Sequence, residues 1–259
     1  PSEVYGRIPF DSFEGIDTLY RSNHGDWSAT WHAFYGNNNE DLDADGESLE
    51  LDLTNFWGAN VTIGNDWLTL RAGYLQADVT QENPAVLAGL WQTLTALGLG
   101  QVVTNLDPSQ ENVGYFVGLG AFVDYEDWLV NMEYTTIGWD DPSLGNNDDA
   151  WFIMAGRRFD DIIVHATYAV QEDNPDFGAN TIPVGLDPQL DILHATVDAI
   201  FSNNKNTSIT AGVRYDFDAG VALKLEVTQI DIDIADPLFP GHQSGLDDGT
   251  LVSFGVDVV

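Results

Sequence analysis

The chain has 259 residues, no cysteine, 8 Lys+Arg against 42 Asp+Glu, and a formal charge of −34. No disulfide scaffold or thiolate metal site can form, and nucleic acid is disfavoured as a partner because a phosphate backbone needs Lys and Arg to neutralise it. At 44% hydrophobic and 12% aromatic the chain is too apolar for a disordered acidic tail, and its length suits one large all-β domain or two ordinary ones.

No apolar run is long enough for a membrane helix. Alternating strands of about 10 residues would escape such a search. In chain order the alternation begins at "GIDTLYR" (15–21). Trp27, Ala29, Trp31, Ala33 and Tyr35 then alternate with Ser28, Thr30, His32 and Phe34. Leu49, Leu51 and Leu53 alternate with Glu50, Asp52 and Thr54, in a strand that continues through Trp57, Ala59 and Val61. Leu68, Leu70, Ala72 and Tyr74 oppose Thr69, Arg71 and Gly73. Val113 to Tyr125, Trp128 to Tyr134, Trp151 to Arg158 and Val164 to Tyr168 repeat the pattern. The clearest hairpin runs from Ile209 to Phe217 and from Val221 to Val227 about an Asp218-Ala219-Gly220 turn, and the last strand spans Val252 to Val258.

Segment 187–201 could be read as a strand. Its Leu190, Leu193, Val197, Ile200 and Phe201 fit helical spacing better, after an Asp187-Pro188 start. It is therefore expected to be a loop helix, like 84–99. The 84–99 segment is apolar nearly all round, which suits burial against a neighbour, as a subunit contact or as a plug.

Short turns at 23–26, 64–66, 125–127, 159–161 and 218–220 alternate with long acidic loops at 37–46, 79–111, 139–149, 171–205 and 232–249. That is the layout of an outer-membrane barrel. Trp27, Trp67, Tyr125, Trp128, Phe159 and Phe217 flank the short turns, where an aromatic girdle belongs. The expected fold is all-β: a transmembrane antiparallel up-and-down β-barrel over 1–259, with about eleven strands and two short loop helices. Single-chain bacterial barrels have an even number of strands, so further strands are expected.

The "GVRYDF…GVALKLE" hairpin, the "GIDTLYR…GDWSAT" opening hairpin and the closing "LVSFGVDVV" resemble general diffusion porins of Gram-negative outer membranes, more narrowly a marine gammaproteobacterial group. The resemblance implies a sixteen-stranded barrel. It makes 15–22 the sixth strand, makes 1–14 the tail of the inward-folded constriction loop, and places a final Phe after Val259. It also implies passive diffusion of ions and small hydrophilic solutes, a homotrimer, and outer-membrane lipid and lipopolysaccharide as surroundings. No chemical step and no cofactor are implied.

Five basic residues fall on the inward phase: Arg21, Arg71, Arg158, Arg214 and Lys224. Glu50, Asp52, Glu133 and Glu226 are read as inward acids beside them. By resemblance such a basic wall faces acids on the constriction loop, and the transverse field screens solutes. Alternatively, each cation only pairs with a cross-strand carboxylate. The acidic loops favour cations at the mouth, and mild cation preference is expected overall. The other readings are a channel specific for a sugar or an anion, and a surface-binding barrel whose acidic loops are functional.

Asp41, Asp43, Asp45 and Asp52 have the spacing of a calcium loop, although strands rather than helices flank it; a solvated acidic loop is the alternative. His32 and His165 lie on the inward phase. That argues against an outer-membrane lipase, whose His and Ser face lipid.

Overall fold

In the computed structural model, residues 12–44, 47–140, 147–201, 203–218, 220–234 and 248–258 are described. Among these residues eleven strands form one sheet in sequence order, each antiparallel to its chain neighbour. They are β1 (Glu14–His24), β2 (Trp27–Ala44), β3 (Glu47–Gly64), β4 (Leu68–Gln81), β5 (Asn112–Tyr125) and β6 (Trp128–Trp139). β7 (Asn147–Phe159), β8 (Ile162–Asn174), β9 (Asn204–Asp218), β10 (Val221–Ile234) and β11 (Asp248–Val258) complete it. Between β4 and β5 lie α1 (Ala88–Ala96) and α2 (Gly100–Leu106), and between β8 and β9 lies α3 (Pro188–Asp198). The expected all-β antiparallel arrangement of about eleven strands forms, with helices in the two expected loops; the first is confined to Ala88–Ala96, and Gly100–Leu106 adds a helix beyond the two expected.

The short connections are tight because left-handed residues reverse the chain: Gly25 (φ 61°), Glu126 (φ 52°), Asp160 (φ 51°) and Gly220 (φ 86°). At the β3–β4 turn the Asn65 carboxamide oxygen accepts from the backbone amides of Trp67 and Leu68 at 3.1 and 2.8 Å.

Period-two alternation divides the sheet into two faces. An aromatic face carries Tyr20, Trp31, Trp57, Tyr125, Trp128, Trp151, Tyr168 and Tyr215, all exposed. An arginine face carries Arg21, Arg71, Arg158, Arg214 and Lys224, as the register shows: Tyr20 opposes Trp31 while Arg21 opposes Thr30, and Tyr215 opposes Leu223 while Arg214 opposes Lys224.

β3 departs from the expected phase. Gly36 pairs with Phe56 but Asn38 pairs with Leu53, and Trp57 pairs with Gln76 but Thr54 with Asp78. One extra residue therefore sits in β3 relative to both neighbours, at Asn55, whose φ is 48°. Such a bulge shifts the alternation by one. Leu51 and Leu53 consequently join the arginine face, packed with Phe56 and Ala77 against Phe13, Phe34, Leu75 and Val79. Glu50 and Asp52 move to the aromatic face, so these two are not inward acids. The expected acidic loop at 37–46 is also largely strand, with Asp43 opposite Ser48 and Ala44 opposite Glu47.

The sequence leaves the cover of the loop helices open, and the long loops fold together. Trp91 and Leu94 of α1, Val102 and Leu106 of α2, and Ala179, Ile182, Val197 and Phe201 of the β8–β9 connection share one buried core. The Asn105 amide donates to Ala179 O at 3.2 Å, tying the connections across. α3 starts as its sequence indicates, with Pro188 in the first turn and the Asp187 carboxylate accepting from the Gln189 amide at 2.7 Å. Trp91 and Leu94 of the 84–99 segment are thus buried against this chain's own second loop and α2, while Val86 and Leu97 stay exposed.

Candidate functional site

The arginine face is the candidate site. Arg158 donates through Nη1 and Nη2 to the two carboxylate oxygens of Asp124, two strands away, at 3.2 and 3.1 Å. Arg214 holds Asp216 through Nε at 2.9 Å and Asp257 through Nη1 at 3.1 Å. Lys224 lies directly opposite Arg214 and contacts the same Asp257 at 2.6 Å. Register carries Arg158 through Ile163 to Arg214 and Lys224, so one row crosses β7 to β10 near the short turns. Three cations and three carboxylates there balance. The side chains are 35 to 41% exposed, so water screens each pair and none is strong.

Arg21 and Arg71 are different. They share another row, Arg21–Thr30–Thr62–Arg71–Gly120–Glu133. Both are exposed, and among the described residues neither has a carboxylate within ion-pair distance. Gly120 separates Arg71 from Glu133; a Cβ placed there would lie 3.7 Å from Arg71 Cβ and 3.8 Å from Glu133 Cγ. This leaves open wall between a cation and an acid.

Glu226 pairs with His165 at 3.4 Å. The contact passes over Gly212, where any Cβ would collide with the imidazole. His32 lies on the same face, with Nδ1 3.3 Å from the Asn60 amide nitrogen and Nε2 3.1 Å from Asp17. Because the Asn60 amide can only donate, Nδ1 accepts, and the Nε2 proton is directed at Asp17.

Of the residues considered for calcium, Asp45 lies outside the described residues. Asp41 and Asp52 sit on paired strands, where Asn39 donates its amide to Asp52 and, at 2.7 Å, to Glu50. The described residues on either side, up to Ala44 and from Glu47, are extended strand. Among the described residues no trio of His, Asp or Glu converges as a metal site.

A second aromatic band escaped notice in the sequence. On the loop side of the aromatic face lie Tyr35, Trp57, Tyr74, Tyr115, Tyr134, Trp151 and Tyr168, with Trp57 on Tyr74 at 5.3 Å and Trp151 on Tyr168 at 5.5 Å. Beyond it the face turns polar. Tyr35 donates to Asn55, Asn55 donates to Asp78, and Tyr134 donates to Asp149. The signal was present as aromatic residues eight positions inward from the turns, Trp27 to Tyr35 and Phe159 to Trp151.

No protein-family model matches the chain, and no curated protein matches it. Among solved structures it is similar to an anion-selective porin from Comamonas acidovorans, at 13% identity and TM-score 0.44, over 88% of this chain and 57% of that one. It is also similar to OccAB4 of Acinetobacter baumannii, at 10% identity and TM-score 0.39, over 95% of this chain and 63% of that one. A third is the toluene transporter TodX of Pseudomonas putida, at 13% identity and TM-score 0.39, over 95% and 73%. The chain therefore spans less than two thirds of the first two structures.

Proposed function

We propose that this chain forms the wall of a Gram-negative outer-membrane porin, through which ions and small hydrophilic solutes diffuse passively. The carrying observation is the aromatic face: exposed apolar residues on all eleven strands, bounded by two aromatic bands. Eight residues of strand span about 27 Å, or about 20 Å along the normal at a tilt of 35–45°, close to the apolar height of a barrel wall. Lipid covers that face, and the arginine face lines water.

Mild cation preference is supported by 42 acids against 8 bases, with three of the inward cations neutralised by partners. No chemical step is invoked, and a homotrimer surrounded by lipopolysaccharide is part of the same proposal. The constriction-loop reading of 1–14 draws support from Phe13, whose ring packs at a tilt on Phe34 at 4.7 Å on the arginine face, and from Ser12 O, which accepts from Asn38 at 2.7 Å.

A solute-specific anion channel is the second reading, favoured only by the exposed Arg21 and Arg71. Swelling of vesicles loaded with dextran tests both. Size-graded uptake of uncharged sugars supports the porin. Saturable uptake of one anion with exclusion of sugars supports the alternative, and no uptake of either overturns both.

A further inference from the structure

Seven basic residues lie in the described part of the chain, and Arg157 of β7 is placed unlike the other six. Five are on the arginine face. Lys205 is on the aromatic face at its loop side, paired with Glu172 at 3.3 Å. Arg157 is on the aromatic face at the turn side, opposite Trp128 and Val164. Its guanidinium carbon sits 5.1 Å from the Trp128 ring centroid and 5.2 Å from that of Phe159. Among the described residues no carboxylate comes within ion-pair distance of it. The adjoining turn acids Asp127, Asp160 and Asp161 all stay beyond that distance.

A cation on the lipid side of a barrel costs several kcal/mol at mid-membrane and little at the interface, so its level between girdle aromatics is tolerable. Its Cζ lies over both rings, and among the described residues no acceptor takes its N–H groups. The guanidinium fork matches a phosphate oxygen pair. Since no described carboxylate pairs with it, an acceptor at that level is one the membrane can supply.

We propose that Arg157, held by Trp128 and Phe159, binds the phosphodiester of a glycerophospholipid headgroup in the leaflet bordering the short turns. This rests on the porin reading, since it needs the aromatic face in lipid.

The test is native mass spectrometry of the folded full chain in neutral detergent, titrated with phosphatidylglycerol and, as a phosphate-free control, diacylglycerol. Wild type is expected to retain one phosphatidylglycerol with preference over diacylglycerol, and R157Q to bind it about tenfold more weakly. Should R157Q not fold, Trp128→Leu, which keeps the charge and removes one stacking face, is expected to weaken binding about threefold. Equal affinity of the variants and wild type overturns the proposal, as does displacement of the lipid by equimolar inorganic phosphate, which would mark a free-anion site. Conductance by wild type together with unchanged lipid binding in R157Q would sink this inference alone and leave the porin standing.

Discussion

Arg214 and Lys224 face each other across β9 and β10 and share one counter-ion, Asp257 of β11. Two like charges directly opposite repel, and the third strand supplies the acid that allows them to coexist. Asp257→Asn should therefore expose a net positive patch near the short turns. Its reversal potential in a salt gradient should move toward anions, more at 0.1 M than at 1 M salt because screening shortens from about 10 to about 3 Å. An unchanged potential would mean that ions do not pass this row.

Arg71 and Arg158 should respond differently to neutralisation. Arg158 already lies on Asp124, so Arg158→Gln also frees a carboxylate nearby, whereas Arg71→Gln removes a cation that has no ion-pair partner among the described residues. Both should raise cation preference, and the two variants can be compared at matched conductance. For Arg71 the effect comes with no stability loss beyond about 0.5 kcal/mol. For Arg158 the loss of its screened pair with Asp124 should add no more than about 1 kcal/mol in urea.

The β3 bulge depends on a left-handed residue. Asn55→Gly keeps that conformation open while Asn55→Val strains it, so the Val variant should be less stable than the Gly variant by about 1–2 kcal/mol. Urea unfolding of the two proteins in the same lipid measures the difference.

The bulge also shows why alternation alone puts Glu50 and Asp52 on the arginine side. Leu49, Leu51 and Leu53 share odd numbers with Trp57 and Ala59, and nothing in the spacing records that one residue between them resets the alternation. Strand identities and short turns were legible because each rests on local pattern, as was α3 through its Asp187-Pro188 start and 3.6-residue spacing. The neutralised row was not. Arg158 and Asp124 are 34 positions apart on non-adjacent strands, and only the register brings them together. The union of two loops in one core was invisible for the same reason: each helix shows that it has an apolar surface, but not which partner covers it.

The shared loop core predicts coupled loosening. Leu94→Ala, at a fully buried position, should cost the loop unit about 2–5 kcal/mol. Limited proteolysis should then open both the β4–β5 and the β8–β9 connections while the strands stay protected. Cleavage confined to the first connection would contradict the common core.

Acid should loosen the same unit through Asp107. Burial pushes its carboxyl upward, but donors from Ser109, Asn83 and Gln110 outweigh that and hold it below its ordinary value of 3.8. Its stabilising contribution is therefore complete above that value and is lost as pH falls through the lower native one. Trp91, which donates to Asn83 at 3.1 Å, reports the change. Its fluorescence should shift below about pH 4, and Asp107→Asn should abolish the pH dependence while weakening the loop at neutral pH.

The central claim is that the arginine face lines an open, water-filled path. Current through single molecules of the protein in a planar bilayer under a KCl gradient tests it most directly. Stepwise ohmic conductance with a small cation-directed reversal potential is the predicted result. Absence of steps from protein shown to be folded and inserted would contradict it.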